Sequence, residues 1–418
     1  MLAVARNVLR LRRMQRSPRS RVDAARDRQL QQLVMHACGT VPYYRQRFAD
    51  AGVDPASIRT VADLARIPPT TKADLQAAGI DAITSDAVPP AACITEKTSG
   101  SSGRPFEMRL DRRWIAVRNA MFLRALSATG YRLHERLLLV SGGPLRRGRW
   151  PMQWRYVPFE LTATDLVAHI NAFRPHVLYG WVTPLRQLAE HVGADGGLLH
   201  RPRAIVTTAE AVDAPTRRLL ADALGGDVFQ IYGLTEMGAM AWECTAHRGM
   251  HLAEDVIVTE QVEGRLVLTN LALYSMPLIR YDSGDLAPPI ARVTGDAPAC
   301  RCGCRYDVVA HVEGRLVDSV VLPDGRRVSP YQLTLAMEKV PTLRRYQITQ
   351  RADNELVVGY VQGGETGEDV DARIRAVLSP VVGGDVQIRS QRCDTLDPPP
   401  GRKFRVVERR LGEERLPA

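Results

Sequence analysis

Residues 98–105 read Thr98-Ser99-Gly100-Ser101-Ser102-Gly103-Arg104-Pro105, a dense mixture of hydroxyls and glycines. Glycine lets backbone approach a bulky anion without a Cβ in the way, and its N–H groups can then point at phosphate oxygens. The hydroxyls add further donors. No Gly-Lys-Ser/Thr closes the run, so it is not a Walker A loop, and the same composition also suits a plain surface turn. A second chemical cluster is Cys300-x-Cys302-x-Cys304, with Cys244, His247 and His251 about fifty residues upstream. Cys244, His251, Cys300 and Cys302 make a Cys₃His set suited to structural zinc, with His247 and Cys304 as alternates. The competing reading is a group of reduced thiols in a tight turn. Seven cysteines, an odd count of which three alternate as Cys300-x-Cys302-x-Cys304 and four stand isolated, do not describe a disulfide framework and fit a reducing compartment.

Further polar groups follow in a fixed order: Gln230-Ile231-Tyr232-Gly233-Leu234-Thr235-Glu236, Ile279-Arg280-Tyr281-Asp282-Ser283-Gly284-Asp285, Gly314-Arg315-Leu316-Val317-Asp318 and Gly401-Arg402-Lys403-Phe404-Arg405. Together with the 98–105 loop, this ordered set resembles the core motifs of the adenylate-forming superfamily of acyl-CoA synthetases and adenylation domains. Segments VPYYRQRF at 41–48, IPPTTKADL at 67–75, TTAEAV at 207–212, WEC…GMH at 242–251 and CRCG at 300–303 resemble its phenylacetate–CoA ligase and capsular-biosynthesis branch. The resemblance runs from about Val41 to the C-terminus.

The resemblance implies that ATP, with Mg²⁺, activates a carboxylic acid to an acyl-adenylate and pyrophosphate leaves. Thr98, Ser99, Gly100, Ser101, Ser102, Gly103 and Arg104 would clasp the β- and γ-phosphates. Tyr232 and Gly233 would face the adenine, with Ala209 and Glu210 along the other side of the nucleotide. Thr235 would offer a hydroxyl to the α-phosphate and Glu236 a carboxylate to Mg²⁺. Asp285 would accept both ribose hydroxyls, with Arg315 nearby. Lys403 would neutralise charge between carboxylate and α-phosphate as it develops. Tyr179, Gly180, Trp181, Met237 and Gly238 would line the acid pocket, and Trp181 and Met237 suit an aryl or apolar acid. His251 is preferred over His247 because Gly-Met-His recurs in relatives. CoA is the expected acceptor. A carrier-protein thiol or an amine is the alternative, since Val317 and Thr334 replace the charged residues that relatives carry where the C-terminal domain swings. A nucleotide-binding scaffold without turnover is a third reading, opposed by the intact Glu236, Asp285 and Lys403.

These groups need a scaffold, and the 418-residue chain is long enough for one large and one small domain. Short apolar runs at 137–140, 204–207 and 228–231 alternate with amphipathic stretches at 165–173, 183–192 and 214–224. That alternation predicts a layered α/β domain. Alternating strands at 256–262 and 265–270, joined through Glu263-Gly264, predict a hairpin. From Arg315 a smaller α+β unit is expected: a hairpin around Pro323-Asp324-Gly325, helices at 330–340 and 369–378, and strands at 345–350 and 355–360. The expected organisation is a basic arm over 1–26, an AMP-forming α/β domain over 27–314 and a mobile α+β lid over 315–418.

The formal charge of +10 sits largely in residues 1–22, which hold seven arginines and no acid. With Leu2, Val4, Val8, Leu9 and Leu11 beside them, the segment reads as a solvated or loosely docked helix, an amphipathic helix for acidic lipid or a partner, or a transit peptide. Nucleic-acid binding is not expected. No apolar run is long enough to span a bilayer; the cysteine usage and the lack of a long apolar secretory core make the cytoplasm the expected location, and the resemblance allows a homodimer.

Overall fold

The computed structural model describes residues 2–97, 106–148, 152–295, 300–340, 342–363, 369–396 and 404–410. The fold is α/β, and the chain divides into two compact units. The first comprises Met1–Arg132, Phe229–Ser283 and Ala287–His311; the second comprises Leu133–Val228, Gly284–Leu286 and Val312–Ala418. None of the described helices is long and apolar enough to cross a membrane.

In the second unit, strands Ala204–Thr208, Val177–Trp181, Leu137–Ser141 and Trp154–Pro158 lie side by side in that order, all parallel. Their near-continuous apolar runs suit a sheet covered on both faces. Helices Ala163–Phe173, Val182–Asp195 and Ala214–Leu224 supply the cover, and Leu138, Val140, Leu178, Leu185, Leu188, Ile205 and Leu220 form a buried core. The first of these helices starts two residues before the expected 165, because the Thr162 hydroxyl accepts from the Asp165 N–H and caps it. Further along, strands Gln387–Arg392, Glu355–Gln362, Leu343–Ala352 and Val407–Arg409 form a separate mixed sheet. Helices Pro330–Met337 and Val370–Val382 pack on it around Leu333, Met337, Ile348, Leu356, Ile374 and Leu378.

The first unit holds the expected hairpin, with Ile257–Val262 paired to Arg265–Asn270. Glu263 and Gly264 both have positive φ (51° and 79°), as a two-residue turn matched to strand twist requires. Strands Asp227–Leu234, Gly238–Glu243, Met250–Leu252 and Val308–Val309 form an antiparallel ladder in that order. Strand Glu107–Asp111 pairs with Cys93–Lys97 and buries Met108 and Leu110 on one face.

The basic N-terminal segment is more firmly held than its composition suggests. Helix Leu2–Met14 buries Leu11 completely, and helix Arg19–Thr40 runs without a break through residue 26. Arg19 donates to both oxygens of Glu254 (2.9 and 2.7 Å) and to Asp307 (3.1 Å). Arg26 also reaches Glu254 (3.1 Å), and Arg292 pairs with Asp307 (2.7 Å). Burial pushes the Glu254 carboxyl up, and the Arg19 guanidinium opposes that shift. Beside this cluster, Arg124 makes a wholly buried pair with Asp255 (2.8 Å) and lies 4.5 Å above the Trp242 ring.

Removing one member of a buried pair strands the other, a loss of about 3–5 kcal/mol. Arg124→Leu is therefore expected to destabilise the protein by about that amount in equilibrium urea unfolding. A change below about 1 kcal/mol would show that Asp255 finds water or another cation.

Candidate active site

The Tyr232–Gly238 segment forms the end of one strand, a tight turn and the start of the next. A bulge separates Tyr232 from Gly233, and Met237 N–H closes the turn on the Leu234 carbonyl at 3.1 Å. Gly233 is needed there: a Cβ would lie 2.4 Å from the Gly238 carbonyl oxygen. Gly238 has φ +70°, and a Cβ on it would lie 3.0 Å from Arg118 Cγ. The turn exposes Thr235, buries Met237 completely and buries most of Glu236. Glu236 Oε1 accepts from the Tyr281 hydroxyl at 2.9 Å, while its main-chain carbonyl accepts from Asn270 Nδ2 at 3.2 Å.

Arg118 donates to both carboxylate oxygens of Glu96, each at 2.7 Å, and holds that carboxyl below its usual range. Glu96 lies on strand Cys93–Lys97, which immediately precedes residues 98–105 in the sequence. Tyr281, Asn270, Arg118 and Glu96 thus surround the motif residues in this unit, and sequence reasoning assigned them no part. The one available signal was that Tyr281 falls inside the Arg280–Asp285 motif.

In the second unit, Trp181 and Thr208 lie level at the carboxyl ends of two adjacent parallel strands. Ligands of open α/β sheets bind at such ends. Immediately beyond, Ala209 adopts φ +71°, and Glu210 accepts from the Thr183 hydroxyl (2.6 Å) and N–H (3.2 Å). A positive φ on a residue with a Cβ is backbone strain of the kind that gathers at functional sites. Burial pushes the Tyr179 hydroxyl up to about 12, against a hydrogen bond with Thr208. Gly180 leaves no room for a side chain, since a Cβ would lie 3.1 Å from Val140 and 3.2 Å from Leu185. Trp181 stacks on Phe159 with centroids 4.7 Å apart. Asp285 and Arg315 are register partners on neighbouring strands, with Arg315 Nε 3.7 Å from the buried Asp285 carboxylate. Asp318, raised by burial, pairs with Arg405 at 3.1 Å.

Of the remaining candidates, Thr98, Ser99, Gly100, Ser101, Ser102, Gly103, Arg104 and Lys403 lie outside the described residues.

The cysteine cluster is assembled by strand pairing within the first unit. Strand Met250–Leu252 runs antiparallel to Gly238–Glu243, bringing His251 near Cys244, and the Cys300–Cys304 turn reaches both. The ligand atoms of Cys244, His251, Cys300 and Cys302 all lie within 4.8 Å of one another. Cys244 Sγ is 3.6 Å from Cys300 Sγ, and Cys302 Sγ is 3.4 Å from His251 Nε2. A tetrahedron with Zn–S bonds of about 2.3 Å has edges of about 3.8 Å, so the donors fit that ion's size and chemistry. His247 instead stacks on Phe229 at 4.7 Å, while Cys304 is buried outside the four. A hydrogen bond from Cys302 leads the effects that push the Cys244 thiol down, and the same contact pushes Cys302 up. Burial disfavours a charged His251, but hydrogen bonds to Cys244 and Cys304 outweigh it and push the imidazole up to about 11. Thiols this close cannot all ionise without a cation.

No family model matches the chain. The phenylacetate–coenzyme A ligase of Thermus thermophilus is 30% identical over 369 residues, covering 81% of this chain and 80% of the relative. That of Pseudomonas putida is 26% identical over 435 residues, covering 93% and 95%. Among solved structures, a 2-hydroxyisobutyryl-CoA ligase in its postadenylation state superposes with a TM-score of 0.77 over 96% of this chain and 92% of its own. At 20% identity that likeness speaks to the fold. The ordered motifs, the α/β fold and the extent of the sequence match lead to one assignment: the chain belongs to the phenylacetate–CoA ligase family of adenylate-forming enzymes.

Proposed function

We infer that this enzyme activates an aryl or apolar carboxylic acid with ATP and passes the acyl group to CoA. A carboxylate oxygen attacks the α-phosphorus of ATP, the bond to the bridging oxygen breaks, and pyrophosphate leaves. The CoA thiolate then attacks the acyl carbonyl and AMP departs. The observation that carries this reading is the Tyr232–Gly238 turn, with Glu236 buried and held by Tyr281. Little covalent chemistry is asked of the protein in such a reaction, so positioning and charge neutralisation dominate.

In this reading Thr235 meets the α-phosphate and Glu236 holds Mg²⁺, which would offset phosphate charge. Tyr232, Gly233, Ala209 and Glu210 flank the nucleotide, Asp285 and Arg315 take the ribose, and the 98–104 loop takes the outer phosphates. Lys403 would neutralise charge between the carboxylate and the α-phosphate. Tyr179, Gly180, Trp181, Met237 and Gly238 border the acid. We place the lid from residue 315 onward. Val317 and Thr334 keep a carrier-protein thiol or an amine in view as the acceptor. Cys244, His251, Cys300 and Cys302 would hold a structural zinc, whose chemistry there is to neutralise the thiolates and tie the 244–251 strands to the 300–304 turn. The seven free cysteines fit work in the cytoplasm.

Pyrophosphate release from ATP across a panel of aryl, alkyl and amino acids, with and without CoA, tests the reading. Release with one aryl or apolar acid, increased by CoA, is expected; release indifferent to CoA would move the acceptor to a carrier protein or amine. Glu236→Gln should slow adenylation by about a hundred-fold, whereas Tyr281→Phe, losing one hydrogen bond, should cost about five-fold. Equal effects would mean that Glu236 acts only through Tyr281. Elemental analysis is expected to find about one zinc per chain, and Cys300→Ser with Cys302→Ser should abolish it and lower the melting temperature. Metal-free protein with an unchanged melting temperature would remove zinc from the structure.

A further inference from the structure

Helix Leu2–Met14 presents two different faces. Val4, Val8 and Leu11, spaced i, i+4, i+7, form the inner stripe; Leu11 is fully buried and the two valines are half-buried. This stripe lies along helix Arg112–Ala128, so the helix's apolar packing requirement is already met. The opposite stripe consists of Leu2, Arg6, Leu9 and Arg13 at i, i+4, i+7, i+11, with Arg10 and Arg12 flanking it. Leu2 is 90% exposed and Leu9 59% exposed. All four arginines are exposed, and none of their side chains enters an ion pair among the described residues. No acidic residue occurs in the first 22 positions.

Leucines held out in water between arginines form a surface with both an apolar and a cationic requirement. We propose that this outer face of Leu2–Met14 docks the enzyme on an anionic lipid surface, with Leu2 and Leu9 entering the headgroup region and Arg6, Arg10, Arg12 and Arg13 pairing with lipid phosphates. The stripe is straight, about 17 Å long and without a concavity. It therefore matches a laterally fluid anionic sheet better than the shaped surface of an acidic protein. Arginine stems lie along apolar material while their heads stay at the charged boundary, which suits the interleaving of the two residue types. The helix lies on the surface rather than crossing it, in keeping with its 13 residues.

Co-sedimentation of the full chain with vesicles tests this. Vesicles of phosphatidylcholine with about one-third phosphatidylglycerol should retain the protein, vesicles of phosphatidylcholine alone should not, and high salt should release it. Each arginine near an anionic surface strengthens partitioning by about five-fold. Arg6→Glu/Arg10→Glu/Arg13→Glu should therefore lower binding by at least about a hundred-fold while leaving ATP-dependent pyrophosphate release unchanged. The corresponding triple lysine variant should keep binding, because charge rather than shape is read. Failure to bind anionic vesicles, undiminished binding by the glutamate variant, or loss of binding by the lysine variant would each overturn the proposal. Retention on polyglutamate but not on anionic vesicles would overturn it in favour of an acidic protein partner.

Discussion

Three carboxylates with almost no access to water, on Glu254, Asp255 and Asp307, set the conditions for the first unit. An ionised carboxylate in such surroundings is costly unless it is paired, and each of these is met by arginine. Arg124 reaches Asp255 from helix Arg112–Ala128, Arg19 and Arg26 reach Glu254 from helix Arg19–Thr40, and Arg19 and Arg292 bracket Asp307. Partners so far apart in sequence fix these helices by charge geometry as well as by apolar contact. His251 precedes Glu254 by three residues, and Cys302 and Cys304 stand just ahead of Asp307. The segments carrying the sulfur and imidazole donors are therefore anchored by the same pairs that neutralise the buried acids.

The Tyr232–Gly238 turn is governed by a different constraint, the closeness of two backbones. Around it the exposed Thr235 hydroxyl and the buried Glu236 carboxylate are separated by a single peptide yet live in opposite surroundings. A hydroxyl in solvent is free to meet a substrate, whereas a carboxylate held by Tyr281 keeps one orientation. In the second unit, the strained Ala209 and the Glu210–Thr183 hydrogen bonds occupy the ends of parallel strands, where side chains converge without competing for the sheet's own hydrogen bonds.

Much of the scaffold was legible because its signals are local. Near-continuous apolar runs marked the parallel strands, Glu263-Gly264 marked the hairpin, and the spacing of Cys244, His251, Cys300 and Cys302 marked the donors that the structure brings together. What escaped were pairings across long sequence separations. Arg19 meets partners 235 and 288 positions away, so a count of arginines in the N-terminal segment overstated its freedom. Tyr281 lies 45 positions from Glu236, and Arg118 lies 22 from Glu96. Periodicity and composition carry no trace of such contacts. Helix starts were missed by smaller margins, where a hydroxyl such as that of Thr162 replaced apolar periodicity as the deciding signal.

The approach of Gly233 to the Gly238 carbonyl also limits how this enzyme can diversify. Where main chain touches main chain no side chain can be introduced, so Gly233 is closed to evolutionary exploration, and the positive φ of Gly238 disfavours any other residue there. Within this unit, novelty must enter through neighbours that carry replaceable side chains, such as Arg118, whose Cγ would lie 3.0 Å from a Cβ on Gly238. The conserved quantity across a divergent lineage would then be an absence of atoms, with change concentrated in the residues immediately beside it.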